Sequence, residues 1–138
     1  MTHYDQNTMP NRFDAAERFI LSAHRYTYRS MWVQAIEDYE SALRLMPTNA
    51  LLYRDTAIAY IKINNIKEAD AKFSRGFLLA VRQAKISEAQ LILDEFTRHF
   101  PHSSSIQKFR NELQRLQSHA VEAEIWRLKW GEGFSKPE

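Results

Sequence analysis

The chain has 138 residues, no cysteine, three glycines, four prolines and a net charge of +2 from 19 basic and 17 acidic side chains. This length fits one domain, and the lack of cysteine excludes disulfides, thiolate metal sites and thiol catalysis. The scarcity of glycine and proline favours helix over strand. The small net charge does not favour nucleic acid as a ligand.

Residues 1–11 are polar, and we expect them to form a flexible N-terminus without the apolar run of a signal peptide or membrane helix. We therefore expect a cytoplasmic protein with no membrane partner. The first helix is expected to begin near Asn11, a favourable N-cap, with Asp14 in its first turn. The second is expected to have Ser30 as its N-cap and to end at Pro47, because proline keeps the preceding residue out of helical geometry.

Three further helices are expected in the middle of the chain. Asn64 and Asn65 supply the turn between the first two of them, because asparagine tolerates left-handed backbone geometry. The expected bounds, in chain order, are Thr48 or Asn49 to Ile63, Ile66 to Gln83, and Ser87 to the residue before Pro101.

A long sixth helix is expected to begin at one of the three serines 103–105 and to be broken by Gly131 and Gly133, leaving residues 131–138 as a flexible tail. Its main apolar face carries Ile106, Phe109, Leu113, Leu116 and Ala120, and a neighbouring stripe carries Val121, Ile125 and Leu128. Trp126 and Trp130 lie one turn apart and form an apolar strip that Phe134 extends. Three contacts for this strip stay open: the chain's own last repeat, a second copy in a homodimer, or a partner.

One pattern of aromatic and small residues occurs twice at a spacing of 34 residues. The matched pairs are Phe19 with Tyr53, Ala23 with Ala57, Tyr26 with Tyr60, Ala35 with Ala69, Tyr39 with Phe73, and Ala42 with Gly76. Aromatic residues fall on aromatic residues and small residues on small ones. A fixed period of this length indicates stacked helical units.

The segment from Phe19 to Pro47 resembles a tetratricopeptide repeat (TPR), with its order of aromatic, small, aromatic, alanine, aromatic and closing proline. The second copy departs at its end, where Val81 replaces the proline. The resemblance implies an all-α, TPR-like solenoid of about six helices, in antiparallel pairs with a long C-terminal capping helix. The single domain would span residues 12–130, with repeats at about 16–49 and 50–83 and a degenerate third unit plus cap at 84–130.

The expected third unit depends on a residue pattern in the fifth helix. Ala89, Leu93, Phe96 and Pro101 reproduce the spacing of Ala35, Tyr39, Ala42 and Pro47, but only 20 residues after Ala69. Either the fourth helix belongs to two units and is also the first helix of a shortened third unit, or this pattern is a chance result of amphipathic spacing. We favour the degenerate unit.

In TPR proteins the first helix of each unit lines a concave groove that receives a peptide, and the resemblance implies the same here. The implied groove residues are Ile20, His24, Thr27, Tyr28, Leu51, Arg54, Ile58, Ile61 and Lys62. The alternative for Ile58 and Ile61 is packing against the next helix. One branch of the family grips a C-terminal carboxylate with paired asparagines, but the matching places here hold Ile20, His24 and Asp55, so we expect no such clamp.

No catalytic or metal-binding pattern is present in the sequence, and we expect neither enzyme activity nor a cofactor. Glu95, His99 and His102 form the nearest metal-like cluster, which is better interpreted as a charge pair at a helix end. A basic run of Lys72, Arg75, Arg82 and Lys85 is better interpreted as a solvated face than as a nucleic-acid site.

The expected function is therefore a protein–protein interaction module, acting as an adaptor or assembly scaffold. The alternative, suggested by the small three-unit shape, is a cytoplasmic chaperone resembling those of type III secretion. The two differ in their partners, because a chaperone would keep an otherwise insoluble protein in solution.

Overall fold

The computed structural model describes residues 11–131, which form six α-helices and no strand. The helices are α1 (Arg12–Tyr28), α2 (Trp32–Leu45), α3 (Ala50–Lys62), α4 (Ile66–Arg82), α5 (Ile86–His99) and α6 (Ser105–Trp130). The all-α class and the helix count expected from sequence are confirmed for this range. Flexible ends are expected at 1–11 and 131–138, of which residues 1–10 and 132–138, including Phe134, lie outside the described residues. None of the helices in the described range is long and apolar enough to cross a membrane.

Asparagine side chains act as N-caps of three helices, with Asn11 at α1, Asn49 at α3 and Asn65 at α4. The Oδ1 atom of Asn11 accepts a hydrogen bond from the Asp14 N–H at 2.8 Å, and Asn49 accepts one from Leu52 at 3.3 Å. Each bond satisfies an N–H that has no partner within its own helix. The caps expected at Asn11 and Asn49 are confirmed.

The cap expected at Ser30 is wrong, because Met31 is the N-cap of α2 and Ser30 adopts a left-handed conformation with φ of 58°. Asn64 and Ala84 have the same conformation, with φ of 60° and 56°. All three occupy the left-handed position of a Schellman motif, a hydrogen-bonded helix ending. At Ser30, for example, the N–H bonds the Thr27 carbonyl and the next N–H, of Met31, bonds the Tyr26 carbonyl.

The types of connection between successive helices are relevant to the predicted third unit. Schellman motifs end α1, α3 and α4, whereas the α2–α3 and α5–α6 connections contain Pro47 and Pro101. The cap residues before these prolines, Met46 and Phe100, donate to the carbonyls of Ala42 and Phe96 at 2.8 Å. Helix α4 is thus joined to α5 as α1 is joined to α2. A fourth helix shared between two units requires this order, although the third repeat itself stays a prediction.

Each helix packs on the next in sequence, and α3 also contacts α5 while α4 contacts α6. The small residues of the repeat lie where helices approach most closely: Ala23, Ala35, Ala42, Ala57 and Ala69 are fully buried. A Cβ added to Gly76 of α4 would lie 2.9 Å from the Tyr53 Cβ and 3.0 Å from the Ala50 carbonyl oxygen of α3. Only glycine fits this contact without displacement of the helices.

Stacked phenylalanines join the last three helices. Phe73 of α4 stacks on Phe96 of α5 with ring centroids 5.4 Å apart, and Phe77 of α4 lies 4.5 Å from Phe109 of α6. Together with the buried aliphatic residues of α5 and α6 they form one hydrophobic cluster. A second cluster joins α1, α2 and α3 around Tyr39.

Helix α6 contributes to the core only through its first turns, where Ile106, Phe109 and Leu113 are buried. No residue from 117 to 130 is buried, and Val121, Ile125 and Leu128 are 60 %, 56 % and 74 % exposed. The apolar face of α6 is expected to continue through Ala120, but its last buried residue is Leu113. We call residues 117–130 the distal part of α6.

Candidate functional site

A polar cluster lies where α1, α2 and α3 meet. The His24 Nε2 of α1 is 3.8 Å from an Asp55 carboxylate oxygen of α3, and its ring meets the Tyr39 ring edge-on at 5.9 Å. The Tyr39 hydroxyl is 3.5 Å from the Thr27 hydroxyl. The cluster thus joins the two helices expected to line the groove and brings together three of the expected residues, His24, Thr27 and Arg54.

Asp55 is the electrostatic centre of this cluster. Arg54 donates to one Asp55 oxygen from both Nε and Nη2, at 3.1 and 2.9 Å, while the other Asp55 oxygen faces His24. The carboxylate therefore offsets the arginine charge and leaves it less available to an external anion. Burial of Tyr39, with Asp55 as a smaller contribution, raises the pKa of its hydroxyl, which stays protonated and able to donate at neutral pH.

A shallow hollow of about 400 Å³ continues this cluster along α1. Its lining is Leu21, His24, Arg25, Tyr28 and Arg29. Tyr28 is 92 % exposed and Leu21 is 52 % exposed. Neither Arg25 nor Arg29 has a carboxylate partner among residues 11–131, since the ion pairs of that range involve other side chains. We call the polar cluster and this hollow together the α1–α3 face.

The other expected groove residues lie differently. Leu51, Ile58 and Ile61 are partly buried and pack against the cluster that contains α5, as the alternative interpretation of the two isoleucines requires. Ile20 packs against the cluster around Tyr39. Lys62 is exposed, and its Nζ lies 5.6 Å from the centre of the Trp32 ring of α2. Sequence reasoning missed Leu21, Arg25 and Arg29. Leu21 and Arg25 lie within one helical turn of His24, and Arg29 directly follows Tyr28.

The metal-like cluster of the sequence is a charge pair at a helix end. One Glu95 oxygen is 3.1 Å from Arg98, and the other is 3.5 Å from the His99 Nε2. Among the described residues no group of three histidine, aspartate or glutamate side chains is placed to hold a metal ion.

The tryptophan strip is present as a stacked pair, with the Trp126 and Trp130 rings 5.8 Å apart. Neither ring belongs to the hydrophobic clusters of the helical body, and Trp130 is 50 % exposed. Both side chains have further interactions within the molecule. Their role as a cap or in self-association stays a prediction.

The sequence of this chain matches no protein-family model, and no curated protein matches it either. Its function is therefore inferred from the geometry of the α1–α3 face and from the resemblance of the repeats.

Proposed function

We propose that this chain is a protein–protein interaction module of the TPR-like type, which binds a partner peptide or helix on the α1–α3 face and acts as an adaptor or assembly scaffold. The observation that supports this proposal most directly is the exposure of Tyr28, a large aromatic side chain at 92 %, beside a half-exposed leucine. Interfaces concentrate their binding energy in a few such residues, and tyrosine is among the most frequent.

The charges of the face favour a partner with an acidic group. Arg25 and Arg29 line the hollow with Tyr28, whereas the carboxylate of the polar cluster, Asp55, already contacts Arg54 and His24. A partner segment with an apolar anchor for the hollow and a carboxylate for Arg25 or Arg29 would satisfy both features.

Internal contacts decide which of the expected groove residues suit a binding test. The TPR resemblance implies that Tyr28, Arg54 and Ile58 all lie in the groove. However, Arg54 pairs with Asp55, and Ile58 packs against the core. Alanine at either position changes internal contacts as well as the surface. Tyr28 and Leu21 are therefore the better positions for a test.

The test is affinity co-purification from the native host with quantitative mass spectrometry, using the wild type and the double variant Leu21→Ser, Tyr28→Ala. We expect specific partners of the wild type to fall at least tenfold with the double variant. Val33→Ser is the matched control, because Val33 of α2 is 55 % exposed, close to the 52 % of Leu21. Circular dichroism should show all three proteins equally helical. If the partners remain with the double variant at control levels, the α1–α3 face is not the binding site.

A further inference from the structure

A second pocket, of about 720 Å³, lies between α4 and the α2–α3 connection. Pro47 and Thr48 form one wall of it. The α4 wall carries Lys72, Arg75, Leu78, Leu79 and Arg82. We call it the α4 pocket. It shares no lining residue with the α1–α3 face, so the two sites are separable by mutation.

Two hydrogen bonds hold the walls of the α4 pocket in place. The Tyr53 hydroxyl donates to the Pro47 carbonyl at 3.0 Å, and the Gln83 amide nitrogen donates to the Thr48 carbonyl at 2.8 Å. The second bond joins the end of α4 directly to the connection that faces it. The pocket is therefore formed before any ligand arrives, which lowers the entropic cost of binding.

The cations of this pocket outnumber the acids. Lys72 Nζ is 3.0 Å from a Glu40 carboxylate oxygen, an ionic contact without the direction of a hydrogen bond. The Arg75 guanidinium lies 5.7 Å from the centre of the Tyr53 ring, and neither Arg75 nor Arg82 has a carboxylate partner in the described range. A cation near the face of an aromatic ring is attracted to it, and the N–H groups of a guanidinium held in this way stay available for an anion.

The surroundings favour a peptide over a nucleic acid. Tyr53 is only 4 % exposed, so its ring has no free face on which a base could stack. The cationic row also ends at Lys85, which pairs with Glu88 at 3.9 Å. The exposed Leu78 and the partly buried Leu79 instead offer an apolar floor for a side chain.

We infer that the α4 pocket is a second binding site, which takes an acidic peptide segment with one apolar side chain. The oxyanion is held by Arg75 and Arg82, and the apolar side chain packs on Leu78 and Leu79. The oxyanion comes from either a glutamate carboxylate or a phosphoserine, since both accept paired N–H donors from arginine.

The test uses fluorescein-labelled peptides of the sequence Gly-Leu-Glu-Glu-Leu-Gly, with Glu-Glu replaced by phosphoserine-Glu in a second probe and by Gln-Gln in a third. Fluorescence anisotropy is measured with the wild type and with the double variant Arg75→Gln, Arg82→Gln. We expect saturable binding of an acidic probe to the wild type, at least tenfold weaker binding to the variant, and at least tenfold weaker binding of the Gln-Gln probe. The better of the two acidic probes identifies the source of the oxyanion.

The matched control is Lys108→Gln, Arg110→Gln, which removes the same charge from exposed residues of α6 away from the pocket. It should bind the acidic probe within twofold of the wild type. The inference is overturned if neither acidic probe binds at concentrations up to about 1 mM, or if both charge variants weaken binding equally. It is also overturned if a single-stranded oligonucleotide binds more tightly than the peptides and loses that binding with Arg75→Gln, Arg82→Gln.

Discussion

The two parts of α6 have similar residues and different surroundings. In the first part, Ile106, Phe109 and Leu113 are buried against α4 and α5, whereas in the distal part Val121, Ile125 and Leu128 are mostly exposed. The distal part is instead stabilised within the helix, where Glu124 accepts hydrogen bonds from Arg127 that lower the pKa of its carboxyl. An apolar stripe predicts that one face of a helix will be buried. It does not indicate whether the same chain or another molecule covers that face.

The largest expected difference between the two parts comes from removing one apolar side chain in each. Phe109 is 4 % exposed and touches Phe77 and Phe96, so Phe109→Ala should lower the free energy of unfolding by about 3–5 kcal/mol. Ile125→Ala, in the distal part, should change it by less than about 0.5 kcal/mol. Urea unfolding followed by circular dichroism measures both. Equal losses would mean that the distal part is buried in solution.

A smaller difference is expected when side chains are enlarged. Ala69→Phe should destabilise by about 1–3 kcal/mol, because Ala69 is fully buried between packed helices, and Ala35→Phe should do the same. Ala120→Phe is the control, since Ala120 is exposed on α6. Unchanged melting temperatures for both buried positions would contradict the alignment of the repeats.

Deleting residues 121–138 tests the three contacts proposed for the tryptophan strip. No residue from 121 to 131 belongs to either hydrophobic cluster, so we expect a change of less than about 1 kcal/mol in the free energy of unfolding. Loss of cooperative melting would support the cap. A shift from dimer to monomer in light scattering would support self-association, and loss of a co-purified protein would support partner binding.

The smallest perturbation is hydrogen exchange, which leaves the protein unchanged. Amides of residues 109–113 should be protected to the level of the global unfolding, because these turns are held by buried contacts. Amides of residues 117–130 should exchange orders of magnitude faster, because no residue of this range is buried and a helix with little burial frays. Uniform protection along α6 would show that the distal part is covered by another surface.

Much of the fold follows from local chemistry. Asn11 and Asn49 begin helices where their side chains predict it, and the small residues at the 34-residue spacing lie at the closest helix contacts. The N-cap predicted at Ser30 is wrong although serine favours N-caps, because Ser30 adopts a left-handed conformation. The 34-residue spacing aligns Ser30 with Asn64, for which the sequence does predict a left-handed turn. Phe19, at 36 % exposed, differs from its buried counterpart Tyr53 because α1 has neighbours on fewer sides than α3.

The candidate site was less predictable than the fold. The TPR resemblance implies that His24, Thr27 and Arg54 line one groove, but it gives no information about the Asp55 contacts with His24 and Arg54. Ile58 and Ile61 have the same periodicity as groove residues, and only the position of α5 shows that they pack inward. The α4 pocket depends on a proline connection folding back against α4, a tertiary contact without a local sequence signal.

The three left-handed helix endings have a consequence for protein engineering. Asn64 suits this backbone conformation, whereas Ser30 and Ala84 adopt it against their preference, at a cost of about 1 kcal/mol or more. Glycine would remove most of that strain at Ala84, and its additional freedom in the unfolded chain would offset part of the gain. Substitutions in these connections are therefore expected to raise the thermostability without changing the core or either binding surface. A more thermostable version of this protein would begin with changes at its turns.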